Sequence, residues 1–231
     1  MKKSKKNILV IVAHQDDETV GCGGTIARHK QNGDSIYAMS FTNGVSARDN
    51  GKNILRNISN RKKNSIKAAK ILGFKWIKNL DYPDNQLDGV NIINLVREIE
   101  NIKNIIKPEI VYTHSFSDLN IDHRVIAEAT LTAFRPKPLE NMTDLILFEV
   151  PSATDYSNIK FKKSFSPNLF IDIKIFWKKK LGALKAYKGE ILKKPHSRSI
   201  DGIHNLAKLR GNQIGIDLAE SFEIIRKVYK N

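Results

Sequence analysis

The chain has 231 residues, 41% of them apolar, a formal charge of +15 at pH 7 and a single cysteine, Cys22. That length suits one sizeable core and is short for two. The single cysteine allows no internal disulfide, and no run approaches the roughly 18 uncharged apolar residues of a membrane-spanning helix. The basic start, Met1 to Lys6, leads into an apolar stretch too short for a signal-peptide core, so the sequence reads as cytoplasmic.

Asn7 to Ala13 reads as a buried strand, apolar at every position after the first. Thr19 to Gln31 reads as a helix closed by Asn32-Gly33, and Ser35 to Thr42 as a second strand ending at Asn43-Gly44. Arg56 to Leu72 has helical apolar spacing (Ile58, Ile66, Ala69, Leu72) and stops at Gly73. Lys75 to Leu80 is a short strand, Val90 to Lys107 a helix closed by Pro108, and Glu109 to His114 a strand. Asp122 to Phe134 is a helix ending before Pro136, and Thr143 to Val150 another strand. From Asn168 the pattern loosens into a strand near Leu169 to Ile175, a helix through Trp177 to Leu192, a helix near Ile200 to Arg210, and a closing segment, Ser221 to Tyr229, of no assigned type. The connection from about Pro151 to Pro167 is expected to be the mobile loop. The alternation predicts an α/β chain, a largely parallel sheet with helices on both faces, in one domain spanning residues 1–231.

The densest basic stretches are the first six residues, Arg61-Lys62-Lys63 and Lys178-Lys179-Lys180. They read as a frayed tail and two solvated helix faces. An anionic partner is the other reading of the charge. No nucleic-acid motif accompanies it, nor a dinucleotide fingerprint or phosphate loop.

In open α/β sheets the ligand site lies at the carboxyl ends of the strands. The segments after the predicted strand ends are His14 to Glu18, Asn43-Gly44, Asp81 to Asp88, and His114 to His123, and two of them are dense in His and Asp. His14 and Asp17 are three apart, so a turn can bring imidazole and carboxylate onto one ion. An open catalytic metal site needs a third ligand, for which His123 in Asn120-Ile121-Asp122-His123-Arg124 is the best candidate. Asp16, beside a ligand but with its own carboxylate free, could take a proton from water. The competing reading is that Asp16 or Asp17 only caps the following helix.

Ala13-His14-Gln15-Asp16-Asp17-Glu18 resembles the Ala-His-Pro-Asp-Asp-Glu signature of PIG-L/LmbE-like N-deacetylases, and Asp122-His123-Arg124 resembles their second motif, His-Pro-Asp-His-Arg. Arg61 with Ala68 to Gly73, the Asp81-Tyr82-Pro83-Asp84 loop, Glu149 to Ser152 and Pro195 to Ser199 extend the likeness over nearly the whole chain. The resemblance implies a Rossmann-like fold, Zn²⁺ or another divalent transition metal, and de-N-acylation. It makes His14, Asp17 and His123 the ligands and Asp16 the general base. Gln15 replaces the usual proline, which alters loop stiffness only. Asn120 stands where the family commonly has a histidine. Asparagine can donate to an oxyanion but cannot deliver a proton at neutral pH, so Asn120 is the expected oxyanion donor, with Asp16 or His114 as the acid.

Arg48, Arg124, His196 and Arg198 are candidate substrate contacts, each as readily a salt bridge or a surface residue. Glu18 and Asp122 are expected to orient the ligands. The implied substrate is an amino sugar or sugar conjugate, with a lean toward a nucleotide-linked or otherwise anionic one. Asn120 motivates an alternative, a catalytically impaired metal- and sugar-binding protein of the same fold. A basic nucleic-acid binder ranks last, because it leaves the His/Asp pairing at two strand ends without a purpose. A hydrolase of a non-sugar amide stays open, and oligomeric state is not readable.

Overall fold

The computed structural model describes residues 5–47, 53–157, 163–187 and 189–229. Seven strands form one sheet: β1 (Asn7–Val12), β2 (Ser35–Thr42), β3 (Lys75–Tyr82), β4 (Ile110–His114), β5 (Asp144–Phe148), β6 (Leu169–Asp172) and β7 (Ala219–Lys227). Their order is β3-β2-β1-β4-β5-β7-β6. β1 to β5 pair in parallel, β7 runs antiparallel to β5, and β6 antiparallel to β7.

β1 is apolar without alternation because both of its faces are covered. Ile8, Val10 and Val12 pack with α1 (Asp17–Gln31), α2 (Ile54–Leu72), α5 (Trp177–Ala186) and α6 (Ile200–Asn212). Leu9 and Ile11 pack with α3 (Ile92–Ile106) and α4 (Ile121–Ala133). The chain leaves β1 toward β2 on one side and resumes at β4 on the other, which opens a crevice at the carboxyl ends of β1 and β4.

The strand-and-helix alternation matches the sequence expectation up to β5. Beyond it three boundaries differ. The strand expected to reach Ile175 stops at Asp172, whose Oδ1 accepts the Lys174 N–H at 2.9 Å and starts a 3₁₀ turn. The helix expected to reach Leu192 ends at Ala186, where Tyr187 leaves helical geometry and buries its ring. The closing segment is β7, an antiparallel strand. In the connection after β5, the Thr154 hydroxyl accepts the Val150 N–H at 2.7 Å and the Ala153 carbonyl accepts the Leu119 N–H at 3.0 Å. These bonds anchor the part expected to move, and residues 158–162 of it lie outside the described residues.

Helix α1 starts at Asp17, two residues before the predicted Thr19, and breaks at Cys22 (φ −137°, ψ 23°). A break frees backbone groups that need partners when buried. Glu220 of β7 accepts the N–H groups of Gly24 (2.8 Å) and Thr25 (2.7 Å). Lys180 of α5 donates to the Val20 carbonyl (2.8 Å) and to Glu220 (2.6 Å), both ionic side chains being 3% exposed. A Cβ on Gly24 would lie 2.6 Å from Ile173, so this close packing needs glycine.

Candidate metal centre

The loop after β1 and the head of α4 meet in the crevice. His14 Nδ1 lies 3.1 Å from Asp17 Oδ2 and 3.2 Å from His123 Nε2, and the Asp17–His123 edge is 3.3 Å. All three side chains are buried. An ion bound tetrahedrally at about 2.0–2.1 Å sets ligand–ligand edges of about 3.3–3.4 Å. The triangle therefore has the size of one face of such a site.

The outer bonds of the two rings show what faces inward. His123 Nδ1 is 2.7 Å from Asp118 Oδ2, so that nitrogen carries the proton and Nε2 presents a lone pair to the triangle. His14 Nε2 is 2.9 Å from Asp84 Oδ1 and 3.2 Å from Asp122 Oδ2, which turns its Nδ1 lone pair inward in the same way. Two lone pairs and a carboxylate oxygen at van der Waals distance repel unless a proton or a cation sits among them. Asp17 Oδ1, buried and without a hydrogen-bond partner, adds a further open acceptor. The donor set fits a divalent metal ion.

The electrostatics agree. Burial alone would lower His14, but the carboxylates of Asp122, Asp17 and Asp84 outweigh it and hold its pKa well above the usual imidazole range. His123 is likewise lowered by burial and raised on balance by Asp17 and Asp118. Burial would raise Asp17, yet His123 and His14 hold it well below the usual carboxylate range. All three directions favour positive charge among these side chains.

Asp16 sits at φ 155°, a conformation rare for a non-glycine residue. Its side chain makes no cap bond to α1, and Asp17 Oδ2 accepts the His14 N–H instead, so the capping-only reading does not hold. Asp16 Oδ1 is 2.8 Å from Arg61 Nη2, and its Oδ2 is 3.3 Å from Arg198 Nη1. Arg61 is held in turn by Glu190 (2.6 Å) and the Gly44 carbonyl (2.9 Å). Gly44 has φ +68° and a Cβ there would lie 2.6 Å from the guanidinium, so glycine is required. Burial raises the Asp16 pKa more than the two guanidiniums lower it. Glu18 holds this loop from behind, accepting the Asp16 N–H (3.0 Å) and the Tyr187 hydroxyl (2.7 Å).

A cavity of about 120 Å³ opens over the triangle, lined among others by His14, Arg61, Asp84, Asn120, His123 and Arg198. Asn120 caps α4, its Oδ1 accepting the N–H groups of Asp122 (2.9 Å) and His123 (3.4 Å). That fixes the amide orientation and leaves the NH₂ as its free half. His114 stacks on His123, with ring centroids 3.9 Å apart, and its Nε2 accepts the Ala13 N–H at 2.9 Å. Burial and the neighbouring His123 keep it well below the usual imidazole range. It supports the His123 ring and, like Asp16, is fully buried and does not line the cavity.

Of the predicted substrate contacts, Arg198 lines the cavity and Arg48 lies outside the described residues. Arg124 is taken up by the carbonyls of Asp118 and Leu119, and His196 Nδ1 accepts the Arg198 N–H at 3.0 Å; neither lines the cavity. Asp122 orients His14, as expected, and also accepts the N–H groups of Asn85 and Leu87. Asp84, Asp118, Arg61 and Glu190 had no assigned role. Asp118 stands within the His114–His123 run, which was the one available signal. Arg61 and Lys180, both expected on solvated helix faces, are instead buried in ion pairs with Asp16 and Glu220, and for Arg61 the family likeness was the available signal.

A family model described as PIG-L, GlcNAc-PI de-N-acetylase, matches residues 9–134. The chain is 32% identical over 190 residues to the uncharacterized deacetylase YaiS of Escherichia coli (strain K12), covering 80% of this chain and 91% of the relative. It is 27% identical over 191 residues to the diacetylchitobiose deacetylase of Thermococcus kodakarensis, covering 80% and 70%. The solved N,N'-diacetylchitobiose deacetylase from Pyrococcus horikoshii superposes with a TM-score of 0.78 at 20% identity, over 96% of this chain and 84% of that one, a likeness of fold.

Proposed function

The chain belongs to the PIG-L family, and on that premise we propose that it is a zinc-dependent hydrolase removing the N-acetyl group of an amino sugar or sugar conjugate. The observation that carries the reading is the triangle of His14, Asp17 and His123, closed by inward lone pairs and backed by carboxylates on both rings. Two imidazoles and one carboxylate leave coordination positions for water and substrate, which suits zinc in hydrolysis. The same donors accept Fe²⁺ or Mn²⁺.

A divalent ion held there supplies Lewis acidity to the amide carbonyl and a more acidic water for the attack. Asp16 takes the proton of the attacking water and returns it to the nitrogen as the C–N bond breaks, releasing acetate and the amine. Arg61 and Arg198, which line the cavity, grip both of its oxygens and hold the fully buried carboxylate in one orientation. The NH₂ of Asn120 donates to the oxyanion, its Oδ1 being committed to the helix cap. A nucleotide-linked or otherwise anionic carrier rests on the net charge alone, because the cavity's two guanidiniums already face carboxylates. A cytoplasmic location rests on the single buried cysteine.

The test is acetate release from a panel of N-acetylated sugars and sugar nucleotides, after chelation and again after zinc is restored. Asp16→Asn is expected to lower the metal-dependent rate by about 10²–10⁴-fold while zinc stoichiometry is kept. Full activity in that variant removes the base assignment. No release from any substrate by the zinc-loaded protein removes the reading itself.

A further inference from the structure

Two basic stretches that are far apart in the sequence lie side by side in the fold. Helix α2 exposes Arg56, Lys62, Lys63, Lys67 and Lys70, and helix α5 exposes Lys178, Lys179 and Lys185. The two helices pack together, with Ile71 against Gly182. Neither contains a single Asp or Glu. None of the eight cations is ion-paired among the described residues. Elsewhere on the molecule surface lysines do find carboxylates, as Lys78 finds Glu98, Lys137 finds Glu100 and Lys194 finds Asp201.

The same face exposes large aliphatic side chains. Leu55 is 80% exposed and Ile66 57%. Leu55 and Ile66 are about three helical turns apart and lie on one stripe. Lys62, Lys63 and Lys70 stand three or four residues from Ile66 and flank it. A stripe of aliphatic groups bordered by lysines is the pattern of a surface that rests in the headgroup layer of a membrane.

We propose that the α2–α5 face docks on an anionic lipid bilayer. The lysines meet lipid phosphates, and Leu55 and Ile66 enter the boundary between headgroups and acyl chains. A second copy of the chain presents the same sign of charge and is repelled. A nucleic acid is less suited, since seven of the eight cations are lysine and no exposed aromatic side chain lies among them for bases to stack on.

The experiment is sedimentation of the full chain with vesicles of phosphatidylcholine, with and without phosphatidylglycerol. Binding is expected only with phosphatidylglycerol, and it should fall as salt rises. Lys62→Gln, Lys63→Gln, Lys67→Gln and Lys70→Gln combined should weaken binding by about 10²–10³-fold. The four Lys→Arg changes at these positions should preserve it, and Leu55→Ser with Ile66→Ser should weaken it while the salt dependence remains. A control replaces Lys5, Lys107, Lys193 and Lys208 by Gln. If the control weakens binding as much as the face variant, net charge is responsible and the proposal fails. It fails too if phosphatidylglycerol vesicles do not bind at low salt. It also fails if the face variant loses affinity for a single-stranded oligonucleotide but keeps it for vesicles.

Discussion

Asp118 stands outside the triangle, yet it should set metal affinity through His123. Its Oδ2 is 2.7 Å from His123 Nδ1 and both groups are buried, so the bond is charge-assisted and unscreened. Partners of this kind typically contribute 10–100-fold in affinity, or about 1.4–2.7 kcal/mol. The structure divides that range. Asp118→Asn keeps an oxygen able to accept the Nδ1 proton and loses only the charge, so about tenfold is expected. Asp118→Leu removes the acceptor and frees the tautomer, which brings the loss to about 100-fold. The loss should go no further, because His114 stacks on the ring within 15° of parallel and holds its plane. The assay is zinc competition against a chromophoric chelator at fixed pH, with circular dichroism confirming the fold. A folded Asp118→Leu protein that binds zinc like the parent would refute the argument.

The raised pKa values of His14 and His123 make zinc binding a proton-releasing event. Their contribution to metal-free stability is complete below about pH 6.5 and is lost as pH rises through the higher folded values. Zinc affinity should therefore weaken as pH falls through that window, and calorimetry in two buffers of different ionisation enthalpy should detect protons released near neutral pH. Burial, with Asp16 and Asp17 adding to it, lifts Glu18 to about 8 from 4.5. The folded state then holds this proton more tightly, so stability declines as pH rises from 4.5 to about 8. Glu18→Gln should flatten that decline, by a few kcal/mol on the order-of-magnitude scale of such shifts; parallel urea-denaturation profiles with unchanged slope would count against it. Lys180→Met leaves Glu220 buried without its cation and should cost about 3–5 kcal/mol in urea unfolding. Adding Glu220→Gln should recover part of the loss, whereas a single-variant cost under about 1 kcal/mol would sink the claim.

Much of the site was legible because it is local in sequence. His14 and Asp17 follow an uninterrupted apolar strand, His123 follows another, and the rule for open sheets places both segments at one crevice. What was not legible spans long separations. Arg61 reaches Asp16 across 45 positions and Arg198 across 182, so that although the sequence singled out both residues it did not betray their shared grip on that carboxylate. The capping role of Asn120 was visible in type, a polar residue before a helix, but the family comparison drew attention to its chemistry instead. In the fold, the β-α rhythm was readable while crossovers dominate. It blurred after β5, where antiparallel strands enter and the helix expected through Leu192 gives way to a buried tyrosine.

The break in α1 also fixes when that helix can be finished. Glu220, which takes up the freed N–H groups of that helix, is synthesised about 200 residues after Asp17. At ribosomal speeds that is a delay of roughly 10–40 s. The nascent amino-terminal half thus emerges with His14 and Asp17 at the head of a helix whose break is still open, and Arg198 and Tyr187 are also late arrivals. The break in α1 is therefore closed only when the last strand slots in beside β5.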